Sequence, residues 1–242
     1  ADQALPQVGV LACRCFAVAA GIAGLMKHTL SRLVYRFVRL ANRIHTRSYE
    51  VRLAESEEDL RQVWRLNYET YVRELGQEEV PPEVAASGLL PDRLRDTSVT
   101  IIALHRGELV GMLILTLPTG PFSIEASLSD PSVLDGIRNK TVEYRRLAVR
   151  RAHRGKGVFL RMADLSLQWV FEHGYRYGLI SALDRQIPSY TRLGYREFDR
   201  PFVKGACTYH PMLCTLVMFL SPEVEKAKLP LGEASVRRLD LD

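Results

Sequence analysis

Cysteine is scarce in this chain. The four present in 242 residues, Cys13, Cys15, Cys207 and Cys214, form two close pairs. Neither pair could staple a domain of this size, so a reducing compartment is the expected setting. Clustered metal ligands are missing too: Cys207, His210 and Cys214 share a short stretch with no fourth ligand near, and structural zinc needs four. No bound metal is therefore expected. Acidic residues are almost absent from the first 49 positions, where Asp2 alone faces Arg14, Lys27, Arg32, Arg36, Arg39, Arg43 and Arg47, a charge of +6. The whole chain carries +5, which leaves about −1 for the remainder. The body thus lacks the basic footprint of a nucleic-acid binder, and no nucleic-acid partner is expected. With 47% apolar and 25% charged residues the composition is that of a folded globular protein. The length suits one domain with an appendage.

The appendage is residues 1–48. Val8 to Met26 is a nineteen-residue apolar run broken only by Arg14. Basic residues then recur every three to five positions from Lys27 to Arg43, out of phase with Met26, Leu30, Leu33, Phe37, Leu40 and Ile44. That is a basic amphipathic helix, of the kind that rests on an anionic bilayer surface. Residues 8–47 are accordingly expected to meet a membrane, placing the protein in the cytoplasm at the inner face of the cell membrane. A helix packed on the core is the alternative.

Residues 49–242 read as a mixed α/β domain. Tyr49 to Leu53 has a strand pattern, and Ser56 caps a helix expected to run to about Leu75, with Leu60, Val63, Trp64, Asn67, Tyr71 and Leu75 inward. Residues 76–97 look irregular, and loops of that length are more often functional than idle. A hairpin joins Val99–Leu104 to Leu109–Leu117, and a second long connection fills 118–140. A strand (Thr141 to Val149), a helix (Gly157 to His173), a strand (Tyr177 to Leu183), a short helix (Pro188 to Leu193) and strands near Tyr195–Phe198 and Leu213–Leu220 follow. On the central strand, alternation would put Glu143, Arg145 and Leu147 on one face and Tyr144, Arg146 and Ala148 on the other.

Chemistry concentrates where that central strand meets its helix. Arg154-Gly155-Lys156-Gly157 is a basic, glycine-containing turn that points free backbone N–H groups and a positive helix end at an anion. This segment resembles the Arg/Gln-x-x-Gly-x-Gly/Ala loop of the GNAT acyltransferase superfamily, with Arg154 and Gly157 in the fixed positions and Phe159 in place of the third small residue. SYTRLGYREF is similar to that superfamily's Tyr-x-x-Leu-Gly-Phe segment, and RGELVGMLIL to its second and third strands. RLNYETYVRELG and EYRRLAV look like the N-acyl amino acid synthases and their relatives, the acyl-homoserine lactone synthases.

The resemblance implies a GNAT-like twisted mixed sheet flanked by helices, and an N-acyltransferase that moves a fatty acyl group from a pantetheine thioester to the amine of an amino acid. No permanently bound cofactor is implied; the co-substrate is an acyl thioester on acyl carrier protein or coenzyme A. Tyr190 would protonate the departing thiolate. Leu147, Ala148 and Val149 would bond the pantetheine arm, and residues Arg154, Gly155, Lys156, Gly157, Val158 and Phe159 its phosphate. Phe159 favours a donor with less phosphate, hence acyl carrier protein as a partner. Glu143 is the candidate base; it could equally serve as an ion-pair partner of Arg145 or Arg146. Arg146 could fork onto an amino-acid carboxylate, and Tyr68 joins it as a candidate substrate contact. An acetyl-coenzyme A-dependent acetyltransferase and a non-catalytic thioester-binding module are the competing readings.

Overall fold

The computed structural model describes residues 48–216. The apolar run and basic helix expected over 8–47 lie outside the described residues, and no helix among those described is long and apolar enough to cross a membrane. β1 (Tyr49–Leu53), β2 (Ser98–His105), β3 (Glu108–Thr116) and β4 (Thr141–Val149) pair antiparallel in sequence order. The β2–β3 turn is closed by Arg106 and Gly107, at φ 54° and 82°, the left-handed pair that a two-residue hairpin requires. β5 (Tyr177–Leu183) runs parallel to β4, and β8 (Cys207–Thr215) lies antiparallel beyond it. Two short strands, β6 (Arg196–Glu197) and β7 (Phe202–Lys204), pair with opposite ends of β8. The final strand begins well before the expected Leu213 because Pro211 sits inside it and masks the strand pattern.

Helices cover both faces. On one, α1 (Glu57–Asn67) is held at its start by a capping box: Ser56 Oγ accepts from Asp59 N, and Asp59 Oδ2 accepts from Ser56 N. Val63 and Leu66 on α1 pack against Ile102, Leu104, Leu109 and Met112. The single long helix expected through Leu75 is corrected at Tyr68, where the backbone widens into a π-helix, Tyr68–Glu74. The expected irregular stretch after it contains α2 (Pro82–Ser87) and a 3-10 turn, Arg95–Thr97. The connection 118–140 packs Phe122, Ile124, Leu134 and Ile137 on Leu179 and Leu213 of the same face. On the opposite face lie α3 (Val158–Glu172) and α4 (Ile187–Arg192). There Val158, Met162 and Val170 meet Ile101, Val110 and Leu113, and Leu193 and Tyr195 join the same cluster.

Two irregularities in β4 shape everything that follows. Met112 is opposite Ala148 while Ile114 is opposite Arg145, so two β4 residues face Leu113 alone, a β-bulge with Arg146 at φ 54°. The bulge overturns the expected alternation beyond Arg145. Ala148 packs with Val63 and Leu66 on the α1 face, and Val149 with Val158 and Met162 on the α3 face. The second irregularity is the short β4–β5 ladder, which holds Thr141, Val142 and Glu143 against Tyr177, Gly178 and Leu179 and then stops. Beyond Glu143 the two strands part.

Candidate active site

A cavity of about 770 Å³ passes through the gap between β4 and β5 and opens toward both faces of the sheet. That volume is of the size used for small-molecule sites. On the α3 face its lining is mostly apolar, including Leu113, Ala163, Leu167, Ile180, Leu193 and Leu216. On the α1 face the lining is polar and charged, with Ser123, Arg146, Glu78, Lys204 and Tyr209.

Glu143 sits where the strands part, 1% exposed. Both of its oxygens accept from Ser123 in the 118–140 connection, Oε2 from Ser123 N and Oε1 from Ser123 Oγ, each at 2.6 Å, and the Ile124 backbone adds a further bond. Burial pushes the Glu143 carboxyl above its ordinary value, against the lowering effect of the two Ser123 bonds and of Arg145. The neighbouring arginines look elsewhere for their salt bridges. Arg145 Nη2 donates to Asp92 at 2.6 Å and to Ser98 Oγ at 3.0 Å, and its Nε meets Thr116 Oγ1. Arg146 pairs with Glu78 and lies 4.9 Å from the centre of the Tyr71 ring. Its Nη1 is buried without a hydrogen-bond partner. Tyr71, supplied by the π-helix, donates its hydroxyl to the Leu147 carbonyl at 3.0 Å and so ties that helix to the bulge. Single π turns inside helices are concentrated at functional sites.

The basic loop leads into α3 with Gly155 and Gly157 at φ 75° and 78°, left-handed positions that the missing Cβ makes accessible. Gly157 serves as N-cap and provides no side-chain cap, and the first turn of α3 lines the cavity. Arg154 does not present a bare charge there. Its Nε donates to the Val149 carbonyl at 2.8 Å, and Nη1 and Nη2 form a fork with Glu74 at 2.6 Å each. Phe159, the second residue of α3, also lines the cavity. Tyr190, on α4, also lines it and stands edge-on to Tyr195, ring centres 5.5 Å apart.

The cavity therefore gathers Glu143, Arg146, Leu147, Ala148, Val149, Arg154, Gly155, Gly157, Val158, Phe159 and Tyr190 from the expected set. Lys156 is exposed and outside the lining. Tyr68 is also outside it: its hydroxyl donates to Ala85 O at 3.4 Å and its ring sits under Arg73. Tyr71, three residues on, lines the cavity instead. Ser123 and Glu78 were not foreseen, because each lies in a long connection with no periodic signal.

Residues 62–215 match the family model described as N-acyl amino acid synthase FeeM. The chain belongs to that family. It is an acyltransferase with a GNAT-like fold. FeeM from uncultured soil microbes is similar in structure, with 15% identity over 69% of this chain and 91% of that one at a TM-score of 0.51. The CoA-dependent acyl-homoserine lactone synthase BjaI, solved with SAM and isopentyl-CoA, shares 17% identity over 76% and 83% at 0.54. An N-acetyltransferase from Lactobacillus plantarum shares 17% over 70% and 99% at 0.51. At these identities the likeness to each solved structure is one of fold. No curated protein matches the chain.

Proposed function

We propose that this FeeM-family acyltransferase transfers a long fatty acyl chain from a carrier-protein thioester to the amine of an amino acid. The observation that carries the reading is the two-armed cavity in the gap between β4 and β5, apolar toward α3 and charged toward α1. The thioester arm threads the gap beside Leu147, Ala148 and Val149, and the acyl tail occupies the apolar arm, which is far larger than an acetyl group needs. The acceptor approaches from the α1 face. Its carboxylate meets the unpaired Nη1 of Arg146, and its amine arrives beside the Ser123–Glu143 pair. Tyr190, on the α3 side, delivers a proton to the departing thiolate.

Carrier protein is favoured over coenzyme A because the phosphate loop is weakly charged where it counts. Glu74 neutralises Arg154, and Phe159 fills space that a diphosphate would need. A single phosphopantetheine phosphate asks less of such a loop, since backbone amides at a helix start can hold one.

Mass spectrometry of lipid extracts from cells expressing the chain tests the reading directly. New long-chain N-acyl amino acids are expected in the wild type, fading in Glu143→Gln and Tyr190→Phe. Short N-acetyl products in their place would favour the acetyltransferase alternative. If both variants yield as much acylated amine as the wild type, the roles given to Glu143 and Tyr190 are wrong.

A further inference from the structure

The geometry points to Ser123 as a catalytic proton relay that carries the acceptor's proton from the cavity to Glu143. The assignment rests on the reading of this site as an amine acyltransferase. Three observations carry it. Both residues line the cavity, but Glu143 is 1% exposed whereas Ser123 is exposed. Ser123 Oγ donates to Glu143 Oε1 at 2.6 Å, a short bond of the charge-assisted kind. Ser123 N fixes the other oxygen at 2.6 Å, so the carboxylate is held in one orientation toward that hydroxyl. An amine in the cavity thus reaches the hydroxyl first, and the carboxylate through it.

Amino groups enter as ammonium ions at neutral pH and must lose one proton to become nucleophilic. In the relay the ammonium gives a proton to Ser123 Oγ while the serine's own hydroxyl proton moves to Glu143 Oε1. The serine ends neutral and the glutamate protonated. The freed nitrogen lone pair attacks the thioester carbonyl carbon, forming C–N, and collapse of the adduct breaks C–S. The second amine proton leaves with the thiolate, which becomes a thiol through Tyr190. When the amide departs, Glu143 returns its proton to solvent by the same hydroxyl. The balance is one ammonium and one thioester consumed, and one amide, one thiol and one free proton produced.

The burial that raises the Glu143 carboxyl serves this step, since it strengthens the hold of the carboxylate on the proton passed from the serine. The relay also assigns a task to the long 118–140 connection. Arg138 donates to Gly120 O at 2.7 Å and pairs with Glu125, which bridges the two ends of the segment around Ser123.

The test uses purified full-length wild type, Ser123→Ala and Ser123→Thr, with decanoyl carrier protein and decanoyl-coenzyme A as donors. The acceptors are an equimolar mixture of amino acids and, separately, hydroxylamine, whose nitrogen is already neutral at pH 7. For Ser123→Ala, amide formation from the amino acids at pH 7 is expected to fall about 10²-fold, the scale of a lost acid–base group. With hydroxylamine the loss is expected to be at least tenfold smaller, and the amino-acid defect should narrow as pH rises and the amines deprotonate in solution. Ser123→Thr, which keeps the hydroxyl, is expected to restore most of the rate. A Ser123→Ala defect of equal size with both acceptors at every pH overturns the relay and leaves a purely structural role. Unchanged turnover in Ser123→Ala does so too, while the acyltransferase reading stands. If the wild type forms no amide from any amino acid, that underlying reading fails and the relay falls with it.

Discussion

Replacing Arg146 with Met isolates what its guanidinium does. Methionine keeps an unbranched stem of similar reach and carries the same left-handed strain at φ 54°, so the backbone cost at the bulge cancels in the comparison. What disappears is the unpaired Nη1, the pairing with Glu78 and the stacking over Tyr71. A hydrogen bond to a charged group is worth ~1.5–3 kcal/mol, so losing the carboxylate contact should raise KM for an amino-acid acceptor by roughly 10- to 150-fold. Glu78 would be left beside the site with no arginine to balance it, and its own repulsion of a carboxylate would inflate the effect. The double variant Arg146→Met with Glu78→Gln removes that contribution. The assay is steady-state acylation of an amino acid beside its decarboxylated counterpart, with one donor at saturation. In the double variant the amino acid should lose its advantage while the simple amine changes less than threefold. Equal losses for the two acceptors would refute a carboxylate contact at Arg146.

Two further predictions bear on the scaffold. Asp59 closes the capping box and takes a forked contact from Arg52 at 2.7 and 2.8 Å, and these hold its carboxyl well below the usual range. Asp59→Ala should therefore cost about 2 kcal/mol at pH 7 in urea denaturation. Because the folded carboxyl is depressed, that stability is present above its unfolded value of about 4 and is lost as pH falls. The gap between wild type and variant should shrink from pH 5 to pH 3. Gly178→Ala puts a methyl 2.8 Å from the Tyr195 hydroxyl and 2.9 Å from Leu216. Crowding of that kind costs about 1–3 kcal/mol, a melting point lowered by about 2–12 °C. Since Tyr195 and Leu216 also line the cavity, the variant should prefer shorter acyl chains; an unaltered chain-length profile would place the tail elsewhere.

Much of the fold could be read from local patterns because those patterns are set by nearest neighbours. Ser56 and the three acids after it announce α1, Arg106-Gly107 announces the hairpin, and the run from Thr141 through Gly157 into Val158 announces a strand, a glycine turn and a helix. The sites of failure share a cause. The π segment is only seven residues long, too short for its wider i→i+5 bonding to show in the apolar pattern, so the stripe ending in Tyr71 and Leu75 looked continuous. The bulge inverted the phase of Ala148, which alternation had assigned to the Tyr144 face. Tyr68 and Tyr71 both fall within RLNYETYVRELG, and of the two Tyr71 lines the cavity. Ser123 and Asp92 act on β4 from connections 20 and 53 residues away in sequence, and nothing in their immediate surroundings marks them.

The ladder of only three residue pairs between β4 and β5 divides the sheet into two leaves joined along a narrow spine. One apolar cluster under α3 still joins the two leaves, but no backbone rung spans the gap past Glu143. A pantetheine arm lying there would supply those rungs, its amides bonding a backbone edge that has no strand of its own. Cargo would then act as a temporary ninth strand. Loading the donor would stiffen the whole molecule, and amide hydrogen exchange at Leu147, Ala148 and Val149 would slow in step with occupancy.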